Sequence, residues 1–396
     1  MKKSSKNGLK KARGNNTKSV LIWAPLLVVI SISLAVLWED LNTTKTEKKL
    51  PIQTDKHPEY VLDFQAALKE REEQLKKYKH DLQTTGVERR SNLSLQEFWD
   101  LYDAKWPVII TDVVNTWPAS KWTTEFFNLT YGNENVATSI VEGTTSEGFS
   151  VPLHGFIKYI NYATPTSWMY VMDEVFIVSR PELHKQILPS IYTEEDFFKL
   201  FPKEIRPWDC MLLWGSAYSQ SPLHIDPYNW TGTNAVIKGT KKWKLFPPGQ
   251  DHLLYVIPEA MCGFPLECYK YNSPINTFAP DQTQYPLYNL ATYIEVEQKA
   301  GEMLIIPTGW FHQVYNTEET LAISNQVMNR NNYRYVLKEI LKAGNLLHKH
   351  LPDNFHNLSP KHQVRILMSL LPKRVLQEGE KRSQDYINSI KGQHST

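Results

Sequence analysis

The feature that most constrains this chain is a His-Ile-Asp triplet at residues 224–226, followed much later by His312. Successive side chains of an extended strand point to opposite faces, so His224 and Asp226 share one face of such a strand. A facing strand must then bring His312 to them. Two imidazoles and one carboxylate leave three octahedral positions of a metal open, which is the ligand set of a non-haem iron(II) oxygenase. Zinc is usually closed off with four ligands.

A buried lysine is the second constraint. Residues 234–246 have the pattern of two strand segments separated at Gly239, and in the second segment Lys241, Trp243 and Leu245 occupy alternate positions. Lys241 therefore shares the apolar face, where an ammonium group is costly unless an anion meets it. From the pattern alone two explanations stay open. Either the distal carboxylate of 2-oxoglutarate binds Lys241, or the side chain lies at the strand end and reaches water.

Further motifs accompany these residues in one order. They are Val87-Glu88-Arg89-Arg90, Trp106-Pro107-Val108-Ile109-Ile110, Trp117-Pro118-Ala119, Trp168-Met169-Tyr170-Val171-Met172-Asp173, Asn234-Ala235, Gly239-Thr240-Lys241-Lys242-Trp243, Gly301-Glu302 and Pro307-Thr308-Gly309-Trp310-Phe311-His312. In both order and spacing, residues 87–329 resemble the JmjC-type 2-oxoglutarate oxygenases. The resemblance is closest to their arginine-demethylase/lysyl-hydroxylase branch, once called the phosphatidylserine receptor.

This resemblance implies a fold, a chemistry and a set of site residues. The implied fold is mainly β with flanking helices, a double-stranded β-helix of the cupin or jelly-roll kind. The implied chemistry uses Fe(II), 2-oxoglutarate as co-substrate and O2, with hydroxylation as the default outcome. By position, the resemblance implies that the metal ligands and catalytic centre are His224, Asp226 and His312. It implies four contacts to the co-substrate, from Lys241, Tyr170, Asn234 and Ser324. It also implies that Trp243 forms a wall of the pocket.

Two positions depart from the family pattern. Ser324 stands where threonine is usual, a modest change because both residues offer a hydroxyl donor. The next pair reads Asn325-Gln326 where close relatives have the reverse order. A shift of one residue reverses facing in a strand, so we predict a different polar lining near the substrate.

The other large signal is an uncharged, mostly apolar run from Val20 to Trp38. At roughly 1.5 Å per residue it spans about 28 Å, close to the thickness of a bilayer core. A basic tail, residues 1–18, precedes the predicted anchor at 19–38, and Glu39 and Asp40 follow it. The positive side stays cytoplasmic, which predicts a type II single-pass membrane protein whose catalytic part is lumenal or extracellular. The alternative is a cleaved secretory signal ending near Ser33-Leu34-Ala35.

The rest of the chain divides by composition. Residues 39–86 have the composition of a polar stalk, in which an amphipathic helix packs against its own domain or forms a short coiled coil that joins two copies. Residues 87–330 form the predicted oxygenase domain. Residues 331–396 form a C-terminal segment with two predicted helices, and from Lys373 onward it is predicted to be a charged, frayed tail.

Sequons and cysteines bear on the compartment. Beyond the predicted membrane segment, triplets of the Asn-x-Ser/Thr type begin at Asn42, Asn92, Asn128, Asn229 and Asn357. Three cysteines, at 210, 262 and 268, give no zinc-ligand spacing. In an oxidising lumen Cys262 and Cys268 are candidates for closing a loop, and free thiols are the alternative.

Three classes of function compete at this point. The leading one is an iron(II)- and 2-oxoglutarate-dependent dioxygenase that hydroxylates a protein or peptide side chain in the secretory pathway. Hydroxylation of glycans or small molecules stays open, and histone demethylation conflicts with a membrane anchor. The alternative is a catalytically inactive, membrane-tethered cupin binding module. A net charge of only +2 gives no electrostatic case for a nucleic-acid partner.

Overall fold

The computed structural model describes residue 76, residue 266 and residues 86–143, 145–262, 268–343 and 351–391. The chain divides into units 1–56 and 57–396, and every described residue belongs to the second unit. The predicted basic tail, the membrane anchor and almost all of the stalk therefore lie outside the described residues. Among the helices of the described part, none has the length and apolar character needed to cross a bilayer.

The described part is mainly β. Its strands are β1 (Glu88–Arg90), β2 (Val108–Ile110), β3 (Asn135–Glu142), β4 (Thr145–Pro152), β5 (Ser167–Asp173), β6 (Met211–Gly215), β7 (Leu223–His224), β8 (Thr231–Lys238), β9 (Thr240–Phe246), β10 (Ile257–Cys262), β11 (Cys268–Ser273), β12 (Ile294–Lys299), β13 (Met303–Ile306), β14 (Phe311–Asn316) and β15 (Thr320–Val327). They form two sheets. The larger has the order β1-β2-β13-β8-β15-β6-β5-β3-β4, and the smaller has the order β10-β11-β7-β14-β9-β12.

Helices flank the sheets. The α-helices are α1 (Leu95–Leu101), α2 (Thr124–Tyr131), α3 (Leu153–Tyr159), α4 (Pro181–His184), α5 (Tyr333–Ala343), α6 (Pro360–Ser369) and α7 (Lys373–Lys391). Short 3-10 helices occupy Val114–Thr116, Pro118–Lys121, Ile160–Tyr162, Phe197–Leu200, Lys203–Ile205, Pro227–Asn229, Pro286–Leu290 and Phe355–Asn357. The prediction of a mainly β fold with flanking helices is confirmed. The strands begin earlier than the predicted start near Tyr170, because β1 to β4 extend the larger sheet.

Alternation of burial along β9 and β12 explains how these two strands line the site. In β9, Lys241, Trp243 and Leu245 are buried while Lys242 is exposed. In β12 every second residue is buried, ending at Gln298. The two strands pair in antiparallel register, with Gln298 opposite Lys241. Their shared face therefore carries a lysine and a glutamine into an otherwise apolar interior.

The C-terminal segment differs from the prediction. Residues 373–391 form the 19-residue helix α7, not a frayed tail. One face of α7 is anchored, because Val375 and Ile390 are buried and Gly379 packs closely against Ile205. At its end, the Ile390 carbonyl accepts hydrogen bonds from Asn135 Nδ2 at 3.1 Å and from Ser150 Oγ at 3.0 Å. The many charged residues of α7 concealed this apolar stripe.

The hairpin of β10 and β11 pairs the strand ends that contain two cysteines. Cys262 and Cys268 are opposite each other in the antiparallel register. Cys268 is disulfide-bonded, and Cys210 is a buried free cysteine. Because β11 also pairs with β7, this hairpin continues the sheet that contains His224.

Candidate metal and co-substrate site

Two histidines and an aspartate converge where β7 meets β14. His312 lies directly opposite His224 in the antiparallel register, and their ring centroids are 4.4 Å apart. The Oδ1 atom of Asp226 lies 3.7 Å from His224 Nε2 and 3.6 Å from His312 Nε2. Three donor atoms thus surround a single point, in an arrangement that can hold one metal ion.

The local backbone differs from the simple strand argument. Strand β7 ends at His224, and Asp226 precedes the 3-10 helix Pro227–Asn229. Tyr228 and Asn229 have positive φ values of 54° and 58°, which are uncommon for residues other than glycine. Asp226 has an extended backbone, with φ −56° and ψ 146°, and it presents its carboxylate to the two imidazoles just before this turn begins.

Hydrogen bonds fix the orientation of both imidazoles. His224 Nδ1 lies 2.8 Å from the Pro222 carbonyl, and His312 Nδ1 lies 3.1 Å from the Trp310 carbonyl. Because carbonyl oxygens only accept, each Nδ1 carries the proton and donates it. Each Nε2 is left with a free lone pair aimed at Asp226. Burial, followed by the neighbouring His312, lowers the pKa of His224 to about 4, so this imidazole is neutral at physiological pH.

A glycine makes room for the carboxylate. Gly232 lies on β8, and a Cβ atom at this position would lie 2.2 Å from Asp226 Oδ2. Real Cβ atoms essentially never approach an oxygen so closely. Any larger residue at position 232 must therefore displace the carboxylate from the point where the imidazoles converge.

Lys241 lies inside the same barrel with its whole side chain buried. Its Nζ is 3.4 Å from the Tyr170 hydroxyl, and among the described residues no carboxylate lies within 4.0 Å of it. Burial lowers the pKa of Lys241 to about 7. The alternative in which the Lys241 side chain reaches water is wrong, because the ammonium group is enclosed.

The remaining predicted contacts lie on β5, β8 and β15. Tyr170 and Asn234 are buried, and Ser324 lies opposite Asn234 on β15. The Oδ1 atoms of Asn234 and Asn316 are both buried without a hydrogen-bond partner in the described part of the chain. The Lys241 ammonium and the Tyr170 hydroxyl are donors that can meet a carboxylate, whereas the two carboxamide oxygens are acceptors and need a donor. A dicarboxylate such as 2-oxoglutarate therefore suits Lys241 and Tyr170.

Two residues of the site were not predicted from the sequence. Gln298 accepts a hydrogen bond from Trp243 Nε1 at 2.9 Å and donates one to the Asn234 carbonyl at 2.6 Å. Trp243 is thereby held 6.0 Å from the His312 ring, measured between centroids. Asn316 lies opposite Lys241 in the register of β14 and β9. A buried glutamine in the alternation of β12 was the available signal for Gln298.

The reversed Asn325-Gln326 pair has a structural consequence. Asn325 Nδ2 donates to the backbone carbonyl of Asp209 at 2.6 Å. Gln326 lies opposite Gly232, so its side chain leaves β15 on the face where Gly232 makes room for Asp226. A glutamine therefore occupies the position of β15 that shares a face with Gly232.

Two β-sheets, with two histidines and one carboxylate converging between them, define a metal-binding barrel of the cupin type. The profile described as Cupin-like domain matches residues 94–330, and the chain belongs to this family. The match covers every residue of the site.

Several curated proteins are similar over the same region. The Lysine-specific demethylase JMJ21 of Arabidopsis thaliana is 31% identical over 257 residues, which is 63% of this chain and 26% of that protein. The Bifunctional arginine demethylase and lysyl-hydroxylase psr-1 of Caenorhabditis elegans is 27% identical over 270 residues, 66% of this chain and 65% of that protein. The 2-oxoglutarate and iron-dependent oxygenase JMJD4 of Gallus gallus is 32% identical over 173 residues, 42% of this chain and 38% of that protein. The chain thus spans less than two thirds of each of these relatives.

Proposed function

We propose that this protein is an Fe(II)- and 2-oxoglutarate-dependent dioxygenase that hydroxylates a protein side chain. The observation that carries the proposal is the convergence of His224, Asp226 and His312 beside the buried, unpaired ammonium of Lys241. Neither feature alone is specific, because a metal triad suits many reactions and a buried lysine is only a cost to stability. Together they place a possible metal site and a lysine ammonium beside Trp243, whose ring lies 6.0 Å from the His312 ring and 5.7 Å from Lys241 Nζ. A chelating keto dicarboxylate requires a metal and a cation in such proximity. The relatives JMJD4, a 2-oxoglutarate and iron-dependent oxygenase, and psr-1, a bifunctional arginine demethylase and lysyl-hydroxylase, support the same chemistry.

The proposed roles follow from position. His224, Asp226 and His312 hold iron, while Lys241, Tyr170, Asn234 and Ser324 bind 2-oxoglutarate. Iron with bound 2-oxoglutarate supplies the activation of O2 and the oxidation of a C–H bond, coupled to decarboxylation to succinate. The chain itself keeps the His224 imidazole neutral by burial and aims both imidazoles by their Nδ1 hydrogen bonds. It also excludes water from the inner end of the cavity with Tyr170 and Trp243, which are buried.

The proposal extends to a compartment. The apolar run from Val20 to Trp38, with its basic flank, supports a type II membrane anchor and a lumenal or extracellular catalytic domain. The disulfide bond of Cys268 supports the same placement, since disulfides persist mainly in oxidising compartments. Proteins of the secretory route are then the substrate class.

Succinate formation tests the proposed activity. The full-length protein, purified in detergent, is incubated with Fe(II), 2-oxoglutarate and ascorbate, with and without a lumenal protein extract. We expect succinate formation that the extract increases, and we expect Asp226→Ala and His224→Ala to abolish it. The matched control is His252→Ala, which removes an exposed histidine.

Two outcomes would oppose the proposal. Full succinate formation by Asp226→Ala would exclude the triad as the metal site. A wild-type protein that binds no Fe(II) and forms no succinate under any condition would favour the binding-module alternative.

A further inference from the structure

A second group of possible metal ligands lies outside the triad. His184 ends helix α4, and Asp209 and Cys210 immediately precede β6. His184 Nε2 lies 3.1 Å and 3.2 Å from the two carboxylate oxygens of Asp209. The ligand atoms of the three residues all lie within 4.8 Å of one another. Residues from two separate elements thus bring a nitrogen, an oxygen and a sulfur donor to one point.

An ion pair alone does not account for this arrangement. The side chains of His184 and Asp209 are 42% and 57% exposed, and a pair so exposed contributes at most about 1 kcal/mol to stability. Cys210 is a buried free thiol. A divalent cation would hold the imidazole, the carboxylate and the sulfur together at one point.

The donor set selects a class of metal. Nitrogen, oxygen and thiolate ligands together are typical of zinc, with bonds of about 2.0 to 2.3 Å. Ligand atoms around a tetrahedral zinc ion are therefore roughly 3.5 Å apart, so from separations of up to 4.8 Å the cluster must contract by up to about 1.3 Å. The exposed side of His184 and Asp209 leaves room for a water molecule as the fourth ligand.

We propose that His184, Asp209 and Cys210 form a second metal site, which binds a zinc-class divalent cation and is separate from the iron site. The bound ion joins α4 to the start of β6. The Asp209 carbonyl already accepts a hydrogen bond from Asn325, the neighbour of Ser324 on β15. The site therefore stabilises the sheet that contributes Ser324 to the co-substrate cavity. This proposal does not depend on the oxygenase activity.

Cobalt(II) absorption tests the site, because a thiolate ligand gives an intense near-ultraviolet charge-transfer band that histidine and carboxylate ligands do not give. The full-length Asp226→Ala variant, in detergent and without reductant, is titrated with CoCl2. Asp226→Ala removes one ligand of the triad, which contains no thiol. We expect the band to saturate at one cobalt per chain and to disappear on competition with ZnCl2.

Three further variants, each made in the Asp226→Ala background, assign the ligands. Cys210→Ser is expected to abolish the band. His184→Ala and Asp209→Asn, which alter exposed side chains and leave the buried thiol in place, are expected to weaken cobalt binding at least tenfold. Glu182→Ala, an exposed change on the same helix, is the control and should bind as the parent does. Absence of the band from the parent, or its survival in Cys210→Ser, would overturn the proposal, as would unchanged cobalt affinity in both His184→Ala and Asp209→Asn.

Discussion

Replacement of Lys241 by methionine should stabilise the fold while it removes co-substrate binding. Methionine keeps an unbranched side chain of similar length and carries no charge. Burial lowers the pKa of Lys241 from 10.5 to about 7, a difference of about 3.5 pH units. At 1.36 kcal/mol per unit, the buried ammonium costs the ligand-free fold about 5 kcal/mol below pH 7.

Aromatic contacts reduce this cost without removing it. The ammonium lies 5.9 Å from the ring centroid of Tyr170 and 5.7 Å from that of Trp243. Two cation–π contacts at such distances offset on the order of 1 kcal/mol each. The desolvation cost is therefore larger than the cation–π stabilisation. We expect Lys241→Met to raise the free energy of unfolding by about 3 kcal/mol at pH 7.

The pH dependence of this difference has a defined sign. Between pH 7 and 10.5 the unfolded chain holds a proton on Lys241 that the folded chain has released, so the stability of the wild type rises with pH in this window. The advantage of Lys241→Met should thus be largest below pH 7 and should shrink steadily up to about pH 10. Urea unfolding of both proteins at several pH values measures it.

A matched substitution and a binding assay complete the test. Lys242→Met alters the exposed neighbour of Lys241 and should change stability by less than about 0.5 kcal/mol. Calorimetry measures the binding of 2-oxoglutarate in the presence of Mn(II), which avoids turnover. Lys241→Met should bind 2-oxoglutarate at least about 30-fold more weakly, since a buried charge-assisted contact is worth about 2 kcal/mol or more. A destabilised Lys241→Met variant that retains normal 2-oxoglutarate affinity would refute this reasoning.

Four further expectations follow from the structure. Gly232→Ala should weaken Mn(II) binding about 10- to 100-fold, because the added Cβ displaces Asp226. The control Gly155→Ala, where a Cβ meets open space, should bind Mn(II) normally. Equal Mn(II) affinities of the two variants, measured by electron paramagnetic resonance, would contradict this expectation. Above pH 7, binding of an anion requires that Lys241 take up a proton. The Kd for 2-oxoglutarate should therefore rise about tenfold per pH unit from pH 7 to 9. A Kd that calorimetry finds independent of pH would exclude this coupling. Gln298→Leu leaves Trp243 Nε1 and the Asn234 carbonyl unpaired and should cost about 1–3 kcal/mol in urea unfolding, while Glu297→Leu on the exposed face serves as control; a loss below about 0.5 kcal/mol would count against the network. If the domain is lumenal, each replacement of an exposed sequon asparagine by Gln, at Asn92, Asn128 or Asn357, should remove an endoglycosidase-sensitive mobility shift. Asn229, whose Oδ1 is buried, should carry no glycan. A glycan on Asn229 would contradict the local structure.

The sequence predicted those parts of the site that depend on local pattern. Alternation along residues 240–246 was enough to place Lys241 inside the barrel, because side-chain direction in a strand has a period of two. The His-x-Asp spacing predicted a shared face, and the extended backbone of Asp226 keeps it although β7 ends at His224. The fold class followed from the same patterns and from the family resemblance.

What the sequence did not predict depends on contacts between distant residues. Gly232 looks like an ordinary strand glycine until the position of the Asp226 carboxylate is known. His184 and Cys210 are 26 positions apart and belong to no recognised spacing, so only the folded chain brings them together. Helix α7 was missed because its stabilising contacts, with Ile205, Asn135 and Ser150, come from distant segments.

Departures from ordinary folding rules concentrate in one place, and that concentration is itself an argument for function. Lys241 is a buried unpaired charge, Asn234 and Asn316 have unsatisfied oxygens, and Tyr228 has a positive φ beside Asp226. Each departure costs stability, typically on the order of 1–3 kcal/mol. Scattered costs of this size would be expected to disappear under selection for stability, because apolar or glycine replacements are available at each position. A metal held by His224, Asp226 and His312 and an anion at Lys241 would relieve the electrostatic part of these costs when they bind.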